Sequence, residues 1–133
     1  MKILIVGSGG REHTLAWKLS QSKNVTKIYC APGNAGTSEV AENIPIAAEN
    51  ISALAEFAER NKIGLAVVGP EAPLVEGIVD EFQKRGLKIF GPGASAAMLE
   101  GSKAFAKEIM EKANVPTAEF RVVTQLDQAM EIV

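Results

Sequence analysis

Residues 1–20 read MKILIVGSGGREHTLAWKLS. Residues 2–6 (KILIV) form a short, almost wholly apolar run, as expected of a strand covered on both faces of a sheet. The run passes straight into glycines. The glycines pass into a segment, about 10–21, that puts Leu15, Ala16 and Leu19 on one helical face. A strand, a glycine turn and a helix make up the unit from which parallel sheets are built.

The unit recurs along the chain. Further strands are expected at 26–31 (TKIYCA), 64–68 (GLAVV) and 87–90 (LKIF), with a short one near 44–47. Asn50 or Ser52 can start a helix striped by Leu54, Ala55, Phe57 and Ala58. Pro73, in the first turn of the next helix, needs no N–H there. Leu74, Val75, Ile78, Val79 and Phe82 give that helix one continuous apolar stripe, and Gly86 stops it. A small-residue turn or short helix follows at 94–99. Ser102 then caps a helix at about 103–113, with Phe105, Ala106, Ile109, Met110 and Ala113 as its buried face. The alternation predicts an α/β fold: a parallel sheet with helices on both faces. Residues 119–123 (EFRVV) read as one more strand. Thr124 reads as an N-cap before a stripe of Leu126, Ala129, Met130 and Val133. That stripe stops in mid-pattern, so the sequence is expected to be a fragment of a longer polypeptide.

Composition narrows the function classes. The chain has 133 residues, of which 47% are hydrophobic and 23% charged, with a net charge of −2. No basic field advertises nucleic acid or an anionic membrane. No apolar run approaches the roughly 20 residues of a membrane span, and the N-terminus lacks the features of a signal peptide. The single cysteine, Cys30, allows no intrachain disulfide and no CxxC metal pair, which fits a reducing compartment. A cytoplasmic protein is expected.

Each of the first four strands ends in a turn rich in glycine or proline: GSGG, APGNAG, VGPEAP and FGPG. In open parallel sheets, ligands bind outside the carboxyl ends of the strands, and glycine lets backbone N–H groups approach an anion. Such turns also need glycine and proline for their own geometry. Four at one edge favour a ligand crevice. The dinucleotide fingerprint G-x-G-x-x-G fits only in part. Gly7 and Gly9 match, but Glu12 stands at the third glycine, and the second strand ends in Cys30-Ala31-Pro32 without the ribose-binding acid. A phosphate-sized site remains, with the N–H groups of Ser8, Gly9, Gly10 and Arg11 at a helix N-terminus. Arg11 in that first turn opposes the helix dipole unless an anion sits there; the alternative is a pair with Glu12 or a solvated side chain. Lys103 repeats this in LEGSKAFAKEIM, where an ion pair with Glu100 is the alternative. Lys107 is expected to pair with Glu111. Glu71 is either an acceptor for ribose hydroxyls or a helix N-terminal acid. Asn34 is either a turn residue or a ligand contact. His13 is either a polar contact near the ligand or a surface residue, with no partner at metal-ligand spacing. Trp17 reads as packing.

GSGGREH, APGNAGT, VGPEAPLV, FGPG and LEGSKAFAKEIMEKANVPTA, in this order and spacing, closely resemble the start of the phosphoribosylamine–glycine ligases (glycinamide ribonucleotide synthetases). These belong to the ATP-grasp superfamily and act in purine biosynthesis. The resemblance covers essentially the whole chain. It implies that residues 1–120 are the pre-ATP-grasp, Rossmann-like, substrate-binding domain and that 121–133 begin the ATP-grasp region. That region would hold most of the ATP, the Mg2+ or Mn2+ ions and the glycine. In such enzymes ATP converts glycine to an acyl phosphate, and the amine of 5-phosphoribosylamine attacks it, giving glycinamide ribonucleotide, ADP and phosphate. Carried over by position, Gly7, Ser8, Gly9, Gly10, Arg11, Glu12, Asn34 and Glu71 would bind the phosphoribosyl substrate, and Lys103 would reach ATP phosphates. No side chain of this segment is expected to act as a catalyst. Two other readings are a non-catalytic phosphosugar-binding module and a dinucleotide-binding oxidoreductase domain. Oligomeric state is not legible.

Overall fold

A computed structural model describes residues 1–132. The chain divides into two compact units, the first Met1–Ala97 and the second beginning at Met98.

The first unit holds five parallel strands: β1 (Lys2–Gly7), β2 (Lys27–Pro32), β3 (Glu42–Asn43), β4 (Leu65–Val68) and β5 (Ile89–Phe90). Their spatial order is β3-β2-β1-β4-β5, so β1 is central and bonded to β2 on one side and β4 on the other. Helix α1 (Gly10–Ser20) crosses from β1 to β2. Helix α2 (Ile51–Asn61) crosses back past β1, from β3 to β4. Right-handed crossovers running in opposite directions must cover opposite faces. Side-chain alternation along β1 agrees. Ile3 and Ile5 pack with Ile28, Cys30 and Ala16 of α1. Leu4 and Val6 pack with Leu54, Ala55 and Ala58 of α2 and with Ile78, Val79 and Phe82 on the other face. The sheet is therefore Rossmann-like and doubly covered, as the apolar strand runs require.

Several boundaries differ from expectation. The short strand pairs through Glu42 and Asn43 rather than at 44–47, because Pro45 has no N–H for the ladder. The LKIF strand narrows to Ile89–Phe90. The long helix is two, α3 (Glu71–Val75) and α4 (Ile78–Lys84), broken at Gly77 with φ +91°. The apolar stripe survives this break because Leu74, Ile78, Val79 and Phe82 are all buried. Gly86 does end α4, at φ +70°. Asn50 is the cap of α2, its Oδ1 accepting the Ala53 N–H at 3.2 Å. Trp17 is 53% exposed rather than packed.

Helix α5 (Ala94–Gly101) leads into the second unit, where Ser102 Oγ accepts the Phe105 N–H and caps α6 (Lys103–Lys112). The face of α6 expected to be buried is only half-covered at Phe105, Ala106 and Met110, and Ile109 and Ala113 are exposed. Residues 119–123 have no regular secondary structure and pair with no strand among the described residues, so they are not the strand expected there. Gln125, not Thr124, precedes α7 (Leu126–Met130), and Leu126 and Met130 are exposed. Val133 lies outside the described residues. Among those residues no helix is long and apolar enough to cross a membrane.

Candidate functional site

The chain departs from β1 in one direction and returns to β4 from the other. The carboxyl ends of these two neighbours therefore form the topological switch point, where open α/β sheets bind ligands. Gly7 closes β1 at φ +127°. Gly9 is the N-cap of α1, and Gly10 and Arg11 are its first two residues. Their N–H groups cannot be met within the helix. Among the described residues the N–H groups of Ser8, Gly10 and Arg11 have no acceptor. Ser8, Gly9, Gly10 and Arg11 are exposed.

Gly9 differs from the expectation that its N–H faces an anion. That N–H donates to Glu12 Oε2 at 2.6 Å, the side-chain return of a capping box. Glu12 is 3% exposed, and the acid that Arg11 pairs with is Glu71 instead. Its carboxylate fills the space over Gly7 and Gly69, where any Cβ would collide with it. The other oxygen, Oε1, is buried without a partner, an arrangement that costs about 1–3 kcal/mol or more for a charged group. So the third position of the dinucleotide fingerprint does take a large side chain here, because the end of β4 supplies a glycine to make room.

Asn34 is tied into its turn by hydrogen bonds. Its Nδ2 donates to the carbonyls of Ser8 at 2.7 Å and Gly9 at 3.2 Å, and its Oδ1 accepts the Thr37 N–H at 2.9 Å. Thr37, fully buried, and Asn43 complete the knot: Thr37 Oγ1 donates to Asn34 O or Asn43 Oδ1, and Asn43 Nδ2 donates to Asn34 O at 2.7 Å. The APGNAG loop thus braces the glycine turn from the β2 side. His13 packs over Gly36, whose Cβ would stand 2.5 Å from His13 Nδ1. Beneath the knot lies Cys30. Burial pushes its thiol up to about 11; a hydrogen bond with Thr37 works against this shift and the Glu12 charge adds to it.

Arg11 and Glu71 are brought together across the switch point, Nη2 to Oε2 3.9 Å, both exposed. Glu71 also opens α3, so its pairing and its helix-terminal position coexist. Packing accounts for most of the turn glycines. Gly91 faces Leu74, and Gly93 faces Asp80, whose Oδ2 caps α5 at the Ala94 N–H. FGPG is therefore a packing turn. Gly10 is the exception at the α1 N-terminus: a Cβ there would meet nothing within 4 Å.

In the second unit Lys103 is exposed at the first position of α6. Among the described residues it pairs with no acid, Glu100 included. Lys107 does not reach Glu111. It donates to Thr117 Oγ1 at 2.5 Å and Ala118 O at 3.0 Å, with its Nζ 5.9 Å from the Phe120 ring centre. Among the described residues no three His, Cys, Asp or Glu side chains converge.

Comparison with known proteins settles which family the arrangement comes from. Residues 1–100 match the family model described as "Phosphoribosylglycinamide synthetase, N domain". The chain belongs to that family. It is 58% identical over 131 residues to the phosphoribosylamine–glycine ligase of Caldanaerobacter subterraneus subsp. tengcongensis, covering 98% of this chain and 31% of that protein. It is 56% identical to the enzyme of that name from Clostridium acetobutylicum, covering 98% and 32%. The crystal structure of phosphoribosylamine–glycine ligase from Thermotoga maritima superposes with a TM-score of 0.69 at 29% identity, over 99% of this chain and 30% of that one. The chain thus spans about a third of the length of the curated relatives it matches. The family match includes the glycine turn, the Asn34 knot and Glu71, and extends to the last residues of α5.

Proposed function

We propose that this chain is the phosphoribosyl-binding part of a longer, cytoplasmic ATP-grasp ligase that joins glycine to 5-phosphoribosylamine in purine biosynthesis. Residues 1–120 would be its substrate-binding domain, with 121–133 leading into the ATP-grasp region. The free N–H groups of Ser8, Gly10 and Arg11 receive the 5-phosphate at the N-terminus of α1, where the dipole favours an anion. The observation that carries this reading is Gly10: packing does not require its missing side chain, and a phosphate over the turn does. The Arg11 guanidinium adds charge-assisted bonds to the phosphate. Glu71 accepts from the ribose hydroxyls. Asn34 and Glu12 hold the turn instead of touching the ligand. Lys103 supplies a point charge to the ATP phosphates. ATP activates the glycine carboxylate for attack by the sugar amine; residues beyond this chain would hold Mg2+ and most of the ATP. What this segment contributes is position: it presents the amine by its phosphate and ribose.

An amide-shift titration of the chain with ribose 5-phosphate, a stable stand-in for the labile amine, tests the reading, with NAD as control. Shifts at Ser8, Gly10 and Arg11 with ribose 5-phosphate and none with NAD are expected. Saturable NAD binding, or an inert glycine turn in the full-length protein as well, overturns it.

A further inference from the structure

Glu12 is the least economical residue of the site. A carboxylate with one orphaned oxygen, buried away from any cation, weakens a fold, and an apolar side chain of similar volume would remove that penalty. Yet the backbone is cut to fit it. Gly7 and Gly69 both lack the Cβ that would collide with its side chain. One carboxylate therefore touches three pieces: the end of β1 at Gly7, the turn through the Gly9 N–H, and the end of β4 at Gly69. Gly69 stands two residues before Glu71. Oε1 is inaccessible and Oε2 is engaged with Gly9, so Glu12 does not itself reach a ligand.

We propose that Glu12 is a positioning residue, which keeps the β1–α1 turn and the β4–α3 turn at the spacing of a phosphorylated sugar. Arg11 and the free N–H groups then face the phosphate while Glu71 faces the ribose. The inference rests on the proposed function above. A gap at Glu12 lets Gly69 and the Gly7–Gly9 turn relax toward each other, and a shift on the order of 1 Å at a positioned substrate is costly.

The test is steady-state kinetics of the full-length polypeptide carrying Glu12→Ala, Glu12→Gln, or Glu12→Ala with Gly69→Ala. Glu12→Ala is expected to raise KM for phosphoribosylamine by about tenfold or more, with KM for glycine and ATP within about twofold. Glu12→Gln, which keeps the shape and an acceptor for the Gly9 N–H, restores KM. The double variant refills the Oε1 space with a methyl and serves where Glu12→Ala does not fold. A folded Glu12→Ala variant with wild-type KM for phosphoribosylamine, a folded double variant whose KM is raised as far as that of Glu12→Ala, or either variant with all three constants raised alike, overturns the proposal. So does failure of both to fold, which would make Glu12 a folding requirement. Ribose 5-phosphate shifts in the wild type separate the two readings. If the wild type binds and Glu12→Ala binds equally well, only the positioning role fails. If the wild type does not bind, the phosphate site itself fails.

Discussion

Arg11 Nη2 stands 3.9 Å from Glu71 Oε2, with the two side chains 67% and 50% exposed. A pair this long and this wet contributes about 0–1 kcal/mol to stability. It is weak enough for Arg11 to turn to a phosphate without a large penalty. Arg11→Ala and Glu71→Gln are therefore expected to shift the urea midpoint little, by less than about 1 kcal/mol each. In the full-length enzyme Arg11→Ala should raise KM for phosphoribosylamine much more than KM for glycine. A large loss of stability, or equal kinetic effects on both substrates, would contradict this assignment.

Asn34 spends both Nδ2 hydrogens on the carbonyls of Ser8 and Gly9. Asn34→Ala removes these bonds and the bond to the Thr37 N–H, and is expected to cost about 1–3 kcal/mol. Asn34→Asp keeps the acceptor for Thr37 but turns an oxygen toward two carbonyls. It should destabilise at least as much and weaken ribose 5-phosphate binding. Wild-type binding and stability in the aspartate variant would mean that the brace is not needed.

Local signals made the strands and most helices legible. KILIV and GLAVV are apolar runs that end in glycine, and Asn50 and Ser102 are capping residues that do cap. That ligands bind at the carboxyl ends of these strands was legible too, but the switch point between β1 and β4 needed the spatial strand order. What escaped depended on distant partners. Glu12 breaks the dinucleotide fingerprint, and only Gly69, 57 positions later, shows where its side chain goes. The Gly77 break hides behind a stripe that stays buried on both sides of it. EFRVV has strand composition, but a strand needs a neighbour, and none lies beside it among the described residues. Lys107 could reach Glu111 on its own helix, yet takes Thr117 and Ala118 beyond the helix end.

Gly33 and Gly77 both have positive φ, at +74° and +91°, but their surroundings differ. A Cβ on Gly77 finds its nearest neighbour at 3.6 Å, so Gly77→Ala should cost only backbone strain, about 1–2 kcal/mol. A Cβ on Gly33 overlaps Asn43 Oδ1 and crowds Thr37 Oγ1. Gly33→Ala adds overpacking of about 1–3 kcal/mol and disturbs the knot that braces the glycine turn. Chemical denaturation of the two variants should rank Gly33→Ala as clearly less stable. Equal losses would remove the knot from the account.

Cys30 is fully buried and its thiol is pushed up to about 11 from an ordinary value of 9.0. The folded state therefore keeps a proton that the unfolded state releases between these values. The associated stability is fully present below pH 9, and about 2 kcal/mol of it is lost as pH rises toward 11. The native thiol should resist alkylation at pH 8 and react only on unfolding. Cys30→Ser, which does not titrate in this range, should flatten the stability profile between pH 9 and 11. Rapid native labelling would show that the thiol is not sealed.

Gly10 opens a helix where alanine would serve the fold better. Its φ is not in the left-handed region, and a Cβ there meets no atom within 4 Å. Gly10→Ala restricts the unfolded chain without strain in the folded one. It is expected to stabilise the domain by about 0.4–1 kcal/mol. The same methyl would stand at the face where the Gly10 and Arg11 N–H groups are open to solvent, so it should weaken ribose 5-phosphate binding. Denaturation and titration of one variant thus read opposite signs. A site needed only as a turn would gain stability and lose nothing. A site shaped for an anion gains stability and loses its ligand, because the side chain is missing where the phosphate must approach the backbone.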